Sequence, residues 1–311
     1  MSNLYDAILL IAFGGPTCRA EIRPFLARVT QGISIPAARL EEVAHHYEAV
    51  GDRSPLNEIT IRQAKALQRV LNRNLPVYVG MRNASPFFNE TLKQMAGDGV
   101  KHALGFILSS HRSEASWERY QKNILDARAE LGGAAPAVDY CDGWHDHPLF
   151  IQTWTELIQA KLKGMKLDQQ LNTPLIFTAH SIPKSMAARS PYVEHLETSA
   201  RLIADKLNRD RWSLAYQSRS GRPIDPWLEP DINQAIRDCA VNGAKKIIVA
   251  PIGFVCDHVE VLYDLDIEAK KNANDVGVEL IRASCPNDDP MFIRTMADVI
   301  ESHMKKVDDR G

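Results

Sequence analysis

Cysteine is scarce and scattered in this chain: Cys18, Cys141, Cys239, Cys256 and Cys285 are the five, and no two are near neighbours. An odd count without C-x-x-C spacing excludes a disulfide framework or a zinc ribbon as the organising device. The pattern is that of a reduced, cytoplasmic protein whose cysteines act as small buried hydrophobes. An excess of one charge is missing too. Thirty-seven Lys and Arg against 39 Asp and Glu leave a net charge of −2 with no basic block, which argues against a nucleic-acid partner. Long apolar runs are absent. The segment 7–13, AILLIAF, follows Asp6, is too short to span a bilayer and lacks a signal peptide's basic start.

What is there is an ordinary globular composition, 45% hydrophobic and 24% charged, on 311 residues, a length that fits two domains. Short apolar runs recur at 7–13, 76–81, 103–110, 174–180, 214–218 and 246–254. Between them lie helical patterns, such as 58–73 and 147–164. Near-continuous apolar strands alternating with helices predict a doubly wound α/β architecture with parallel sheets. In such sheets ligands bind beyond the carboxyl ends of the strands. The two halves echo each other. DGVKHALGFILSSHRSEASWERY (98–120) aligns without gaps on NGAKKIIVAPIGFVCDHVEVLYD (242–264), PVYVGMR (76–82) on SLAYQSR (213–219), and LLIAFGGP (9–16) resembles LIFTAHSIP (175–183). Two similar α/β domains are expected, 1–147 and 148–311, with a cleft between their strand ends. The last helix, about 288–306, has the option of packing back on the first domain.

Four places carry candidate chemistry. His180 ends the strand FTAHSIP, and an imidazole with an ordinary pKa near 6.5 can accept a proton at neutral pH. A hydrogen-bonded structural histidine is the competing reading. The stretch 251–271 sets Asp257, His258, Glu260, Asp264, Asp266 and Glu268 within twelve residues. Glu260, Asp264 and Glu268 are spaced i, i+4, i+8, one face of a helix. That row is either a solvated face under mild repulsion or a line of oxygen ligands handing a divalent cation towards His180. Asp257 and His258 read as turn or helix-start residues, and Asp266 points elsewhere. Gly14-Gly15 after a strand is either a tight turn or an oxyanion cradle, with no nucleotide fingerprint following. The loop 218–232, anchored by Trp227, joins Arg82, Arg112, Arg219 and Tyr120 as groups suited to a flat apolar ligand with several carboxylates. Each Arg taken singly reads as a surface salt-bridge partner.

Taken together, LLIAFGGP, YEAVGDRSPLN, VGMRNASPF, FTAHSIP, YQSRSGRPIDPWLEPD and PIGFVCDHVEVLYDLDIEA resemble the ferrochelatases, which insert Fe2+ into a porphyrin, and they run in family order from residue 9 to about 270. The resemblance implies a chelatase-like fold of two similar Rossmann-like α/β domains with parallel sheets. It places the family's invariant pair on His180 and Glu260, and its acidic ridge on Asp264 and Glu268; these four are the expected metal contacts. Porphyrin contacts fall on Phe13, Ser54, Arg82, Tyr120 and Trp227, joined by Arg219 at the same mouth.

Between GGP and SPL the chain holds only the polar residues 17–53, where membrane-associated members acting on protoporphyrin IX carry a longer apolar lip. That resembles the soluble coproporphyrin III enzymes. Phe13 stands where some of these have an iron-ligating tyrosine, so that ligation cannot occur here. No cysteine follows Cys285, so no iron–sulfur cluster is expected. Fe2+ is then substrate rather than resident cofactor. The expected protein is a lyase of haem biosynthesis, monomeric, without a membrane span, working beside neighbouring haem-pathway enzymes. The competing readings are a protoporphyrin IX ferrochelatase, a cobalt- or sirohydrochlorin-type chelatase, and a non-catalytic tetrapyrrole or haem carrier.

Overall fold

The apolar run at 7–13 becomes strand β1 (Ala7–Ala12), all of whose residues are buried. In the computed structural model, which describes residues 4–32, 35–220 and 224–309, β1 is followed by β2 (Val77–Met81), β3 (His102–Ile107) and β4 (Ala137–Tyr140). The second set is β5 (Leu175–His180), β6 (Trp212–Gln217), β7 (Lys246–Ala250) and β8 (Glu279–Arg282). Every pairing is parallel. The sheet orders are β2-β1-β3-β4 and β6-β5-β7-β8, the same winding twice. The internal repeat in the sequence is therefore a repeat of topology.

The apolar runs overshoot two strands. β3 stops at Ile107 and β7 at Ala250, because the residues beyond leave the sheet and bury themselves as loops, among them Pro251 and Ile252. The edge strands β4 and β8 gave no apolar run, being four residues each and half exposed. Helices cover the sheets. In the first unit Leu92, Met95 and Ile124 pack against Leu9 and Ile11 of β1. In the second, Ile232, Ile236, Val261 and Leu265 pack against Ile176, Ala215, Ile247 and Val249.

The chain divides into two compact units. One holds residues up to Ser109, Glu114–Gly143 and everything from Asp288; the other holds Ser110–Ser113 and Trp144–Asn287. The boundary expected at 147 thus lies at Gly143/Trp144. The helix Pro290–Asp308, which chain order assigns to the second domain, groups with the first and packs on the helix Leu56–Val70 and on β3. Among the described residues, no helix is long and apolar enough to cross a membrane.

Candidate active site

His180 is the last residue of β5, so the strand's own geometry delivers its side chain to the carboxyl edge of the second sheet. Its backbone is fixed on both sides. The Tyr192 hydroxyl donates to the His180 carbonyl at 2.9 Å, and the Ser181 amide donates to the Gln217 carbonyl at 2.7 Å. The turn after His180 is stitched to the Pro-rich loop: Leu228 N–H to Ile182 O, Lys184 N–H to Pro226 O, and the Ser181 hydroxyl to Leu228 O. Trp227 is buried beside Pro183 in this stitch, so it steadies the histidine's turn. Gly221, Arg222 and Pro223 of that loop lie outside the described residues.

The His180 ring donates through Nδ1 to the Ser181 carbonyl, an acceptor only. That assignment leaves Nε2 facing Glu260, with Oε1 at 3.6 Å. Glu260 reaches this position because of a glycine. The loop after β7 crosses the end of β5 at Gly253, whose amide donates to Thr178 O at 3.0 Å. A Cβ there would sit 2.5 Å from Ala179 Cβ. The Glu260 carbonyl then accepts from Gln217 Nε2 at 2.6 Å, while Gln217 Oε1 accepts from the buried Thr178 hydroxyl at 2.9 Å. Gln217 therefore ties β5, β6 and the acid-bearing segment together. His258 completes the setting: its Nε2 lies 3.2 Å from Glu260 Oε2, so the carboxylate sits between two imidazoles.

The electrostatics follow. Burial alone would push the His180 pKa down, but the Glu260 carboxylate and its contact outweigh it and raise the value to about 9. Burial would push Glu260 up, and His180 overrides that so the carboxyl ionises well below its usual range. At neutral pH the resting pair is imidazolium and carboxylate, because a carboxylate held this close repays the desolvation of the cation.

Glu260, Asp264 and Glu268 do not lie on one regular α-helix. An α-helical turn, Val259–Leu262, gives way to a π-turn, Asp264–Ala269, a feature common at functional sites. Val261, Leu265 and Ala269 sink into the core and set the orientation of the rest. Asp264 is buried and accepts from the Ser218 hydroxyl. Burial raises its pKa to about 7, with the neighbouring Glu260 and Glu268 adding to the rise and the Ser218 bond opposing it. Glu268 is exposed, with Asn233 Nδ2 at 3.4 Å. Among the described residues, no three of His, Cys, Asp and Glu converge closely enough to hold a metal ion. The arrangement is a row, not a cage.

The candidates on the first unit sit where β1 and β2 end. Arg82 N–H donates to Ala12 O at 3.0 Å, and Asn83 N–H to Phe13 O at 2.9 Å. Phe13 is half-buried, edge-on to Phe25 with ring centroids 6.2 Å apart. Arg82 is half-buried, and desolvation lowers its pKa. Tyr120 belongs to the core, and Ser54 is buried with its Oγ accepting from Leu56 N at 3.3 Å. Of the two readings of Gly14-Gly15, the tight turn holds for Gly15. Its amide is occupied by Asn57 Oδ1 at 2.8 Å, and a Cβ there would meet Ser54 at 2.7 Å. On the second unit, Arg219 is exposed and donates to Asp225 O at 2.8 Å, and the Arg112 amide donates to His195 Nδ1 at 3.3 Å. Cys141, Cys256 and Cys285 are buried as expected of small hydrophobes, whereas Cys18 is exposed.

Several working residues were not singled out from sequence. Gln217 was detectable as a polar residue closing an apolar strand, and Ser218 as its neighbour. Tyr192, twelve residues from His180 on another element, left no signal.

The chain as a whole has relatives among known proteins. A model of the ferrochelatase family matches residues 5–304. A ferrochelatase from Rhodopirellula baltica is 39% identical over all of this chain and 90% of its own length. Coproporphyrin III ferrochelatases from Nocardia farcinica and Mycolicibacterium smegmatis are 40% and 38% identical, each over 96% of this chain and 88% and 89% of theirs. Among solved structures, the cobalt complex of the sirohydrochlorin chelatase SirB from Bacillus subtilis subspecies spizizenii superposes with a TM-score of 0.62, covering 97% of this chain and 96% of that one. Its 8% identity makes this a likeness of fold alone. Motifs running in family order, two parallel sheets of one winding and relatives near 40% identity lead to one conclusion: the chain belongs to the ferrochelatase family.

Proposed function

We propose that this protein inserts ferrous iron into a porphyrin in haem biosynthesis, with coproporphyrin III as its substrate. The observation that carries the reading is the His180–Glu260 pair at 3.6 Å, set at the ends of β5 and the β7 loop, with Asp264 and Glu268 following on the same segment. The substrate assignment rests on the relatives named for coproporphyrin III and on the short polar stretch 17–53.

In this reading Fe2+ approaches along Glu268 and Asp264, carboxylates that bind a hard or borderline cation without a thiolate's grip. A dication arriving beside the pair expels the proton that His180 holds at rest. The neutral ring then has Nε2 free to accept a proton from a pyrrole N–H, and Glu260 stabilises the imidazolium that forms. Two N–H protons leave as the four pyrrole nitrogens take up Fe2+, so charge is conserved. Binding through the propionate rim supports distortion of the macrocycle, worth about 1–5 kcal/mol. Phe13, Ser54, Arg82 and Tyr120 on the first unit, and Arg219 and Trp227 on the second, are proposed to hold the porphyrin. The proposal includes a monomer in the cytoplasm without an iron–sulfur cluster, exchanging porphyrin and haem product with neighbouring pathway enzymes.

The test is anaerobic mixing of the protein with Fe2+ and either coproporphyrin III or protoporphyrin IX, followed by porphyrin absorption. Catalytic turnover, faster with coproporphyrin III, is expected. A spectral change that stops at one equivalent would make the protein a carrier instead. Because Zn2+ stands above Fe2+ in ligand affinity, Zn2+ should also be inserted. His180→Ala should abolish insertion of both metals with the fold intact, since Glu260 retains His258 as partner. Full activity in that variant would refute the assignment.

A further inference from the structure

The segment bearing Glu260 and Asp264 has a third face that the chemistry above leaves unused. Asp257 and Asp266 belong neither to the core nor to the acidic row, and both end on Arg282, the last residue of β8. Arg282 Nε and Nη2 take the two oxygens of Asp266 at 2.7 and 2.8 Å, a parallel fork. Its Nη1 reaches Asp257 Oδ1 at 3.0 Å and the Ala283 carbonyl at 3.2 Å. Asn287 closes the set, donating to Asp257 Oδ2 at 2.8 Å and accepting from the Asp257 amide at 2.8 Å. Only 13% of the Arg282 side chain and 19% of Asp257 are exposed, so that pair escapes much of the screening that weakens surface ion pairs, while Asp266 stands more open at 38%.

We infer that Arg282 is a positioning residue for metal capture. It staples residue 257 to residue 266, and the turn between them presents Glu260 and Asp264 to His180. The inference deepens the metal-insertion reading and rests on it for its meaning. The reason a staple is needed lies in the backbone. The π-turn is closed by Glu268 N–H to Tyr263 O at 2.9 Å, while Ile267 N–H reaches the same carbonyl at 3.2 Å. Two amides sharing one acceptor hold their register weakly. Asp266 lies inside that turn, so a bidentate grip on its carboxylate fixes the turn's rotation. Lys cannot replace the fork, because an ammonium is one point charge and cannot hold both carboxylates in plane.

The experiment uses the full chain with Arg282→Lys, Asp266→Asn and the double variant. Two measurements are made: Co2+ affinity without porphyrin, and steady-state insertion with separate KM values for Fe2+ and porphyrin. Each single variant should bind Co2+ about tenfold more weakly and raise KM for Fe2+ by about the same factor, and the double variant should add little, as expected of residues acting as a unit. KM for porphyrin and the far-UV circular dichroism should not change. Unaltered Co2+ affinity in both single variants, a fall in kcat alone, or fully additive losses would each overturn the inference. Should the unmodified chain insert no metal, the functional reading fails, and the Co2+ measurement still decides whether Arg282 positions the acids.

Discussion

A carboxyl that is half-protonated near neutral pH, Asp264, lies one turn from a carboxylate, Glu260, that stays ionised far below it. The difference is environment: Glu260 has two imidazoles, whereas Asp264 is buried with one hydroxyl and two acidic neighbours. The sign of the stability effect follows. The folded-state pKa of Asp264 is raised to about 7, so its favourable contribution is complete below the ordinary carboxyl value, about 4, and is lost as pH climbs through 7. Asp264→Asn removes that loss. The variant should gain stability over the native chain between about pH 4 and 7 and hold the gain above it, by up to about 4 kcal/mol from linkage. The same change should slow metal insertion, most above pH 7 where the native carboxylate is ionised. Denaturant unfolding and insertion rates across pH check both halves, and a stability difference that does not vary with pH would count against the assignment. His180, Glu260, Asp264 and Glu268 could be picked out from strand ends and spacing. Their protonation could not, because it depends on burial and on Ser218 and His258, whose positions only the fold supplies.

One glycine and one irregular turn decide where the acids go. Gly253 lets the loop after β7 cross β5 in contact with backbone: an added Cβ would lie 2.7 Å from Ala179 Cα, an atom that cannot swing aside. Gly253→Ala must lift the loop from β5, lengthening the Gly253–Thr178 hydrogen bond and separating Glu260 from His180. We expect kcat to fall more than tenfold and stability to drop by about 1–3 kcal/mol, the usual range for overpacking. Gly97→Ala serves as the control, since nothing lies within 4 Å of that position and its φ is not positive. It should leave kcat unchanged, with stability equal or slightly raised. Equal activity in Gly253→Ala would mean that the crossing does not set the pair. The parallel strands β1, β3, β5 and β7 were legible because strands buried on both faces read as apolar runs. The π-turn was not: DLDIEA carries the same spacing as an α-helix, and the wider turn is imposed by core seats at Val261 and Leu265 and by Arg282.

Across the whole chain the same winding is used twice with different chemistry. Where gapless alignment sets Glu260 and Asp264 in the second unit, the first has Ser116 and Tyr120, and β1 runs into Phe13 where β5 ends in His180. The groups proposed to handle protons and metal therefore reside in the second unit, which has its own core. The first depends on a distant piece of chain. The helix Pro290–Asp308 buries Phe292, Ile293, Met296, Ile300 and Met304 there. Polar clamps hold it: Asn72 donates to both oxygens of Glu301, at 2.8 and 2.7 Å, and Arg73 pairs with Asp308 at 2.6 Å. Removing five large core side chains, at about 2–5 kcal/mol each, outweighs the ~5–15 kcal/mol that a domain typically has in hand. A chain ending at Asn287 should therefore lose hydrogen-exchange protection in β1–β4 while the amides of β5–β8 keep theirs. Insertion activity should vanish with the first-unit residues proposed to hold the porphyrin, yet the Co2+ affinity proposed for Glu260 and Asp264 should remain. If β1 and β3 stay as protected as in the full chain, the helix is an appendage rather than part of that core. If protection disappears from all eight strands, the second unit does not hold its site alone.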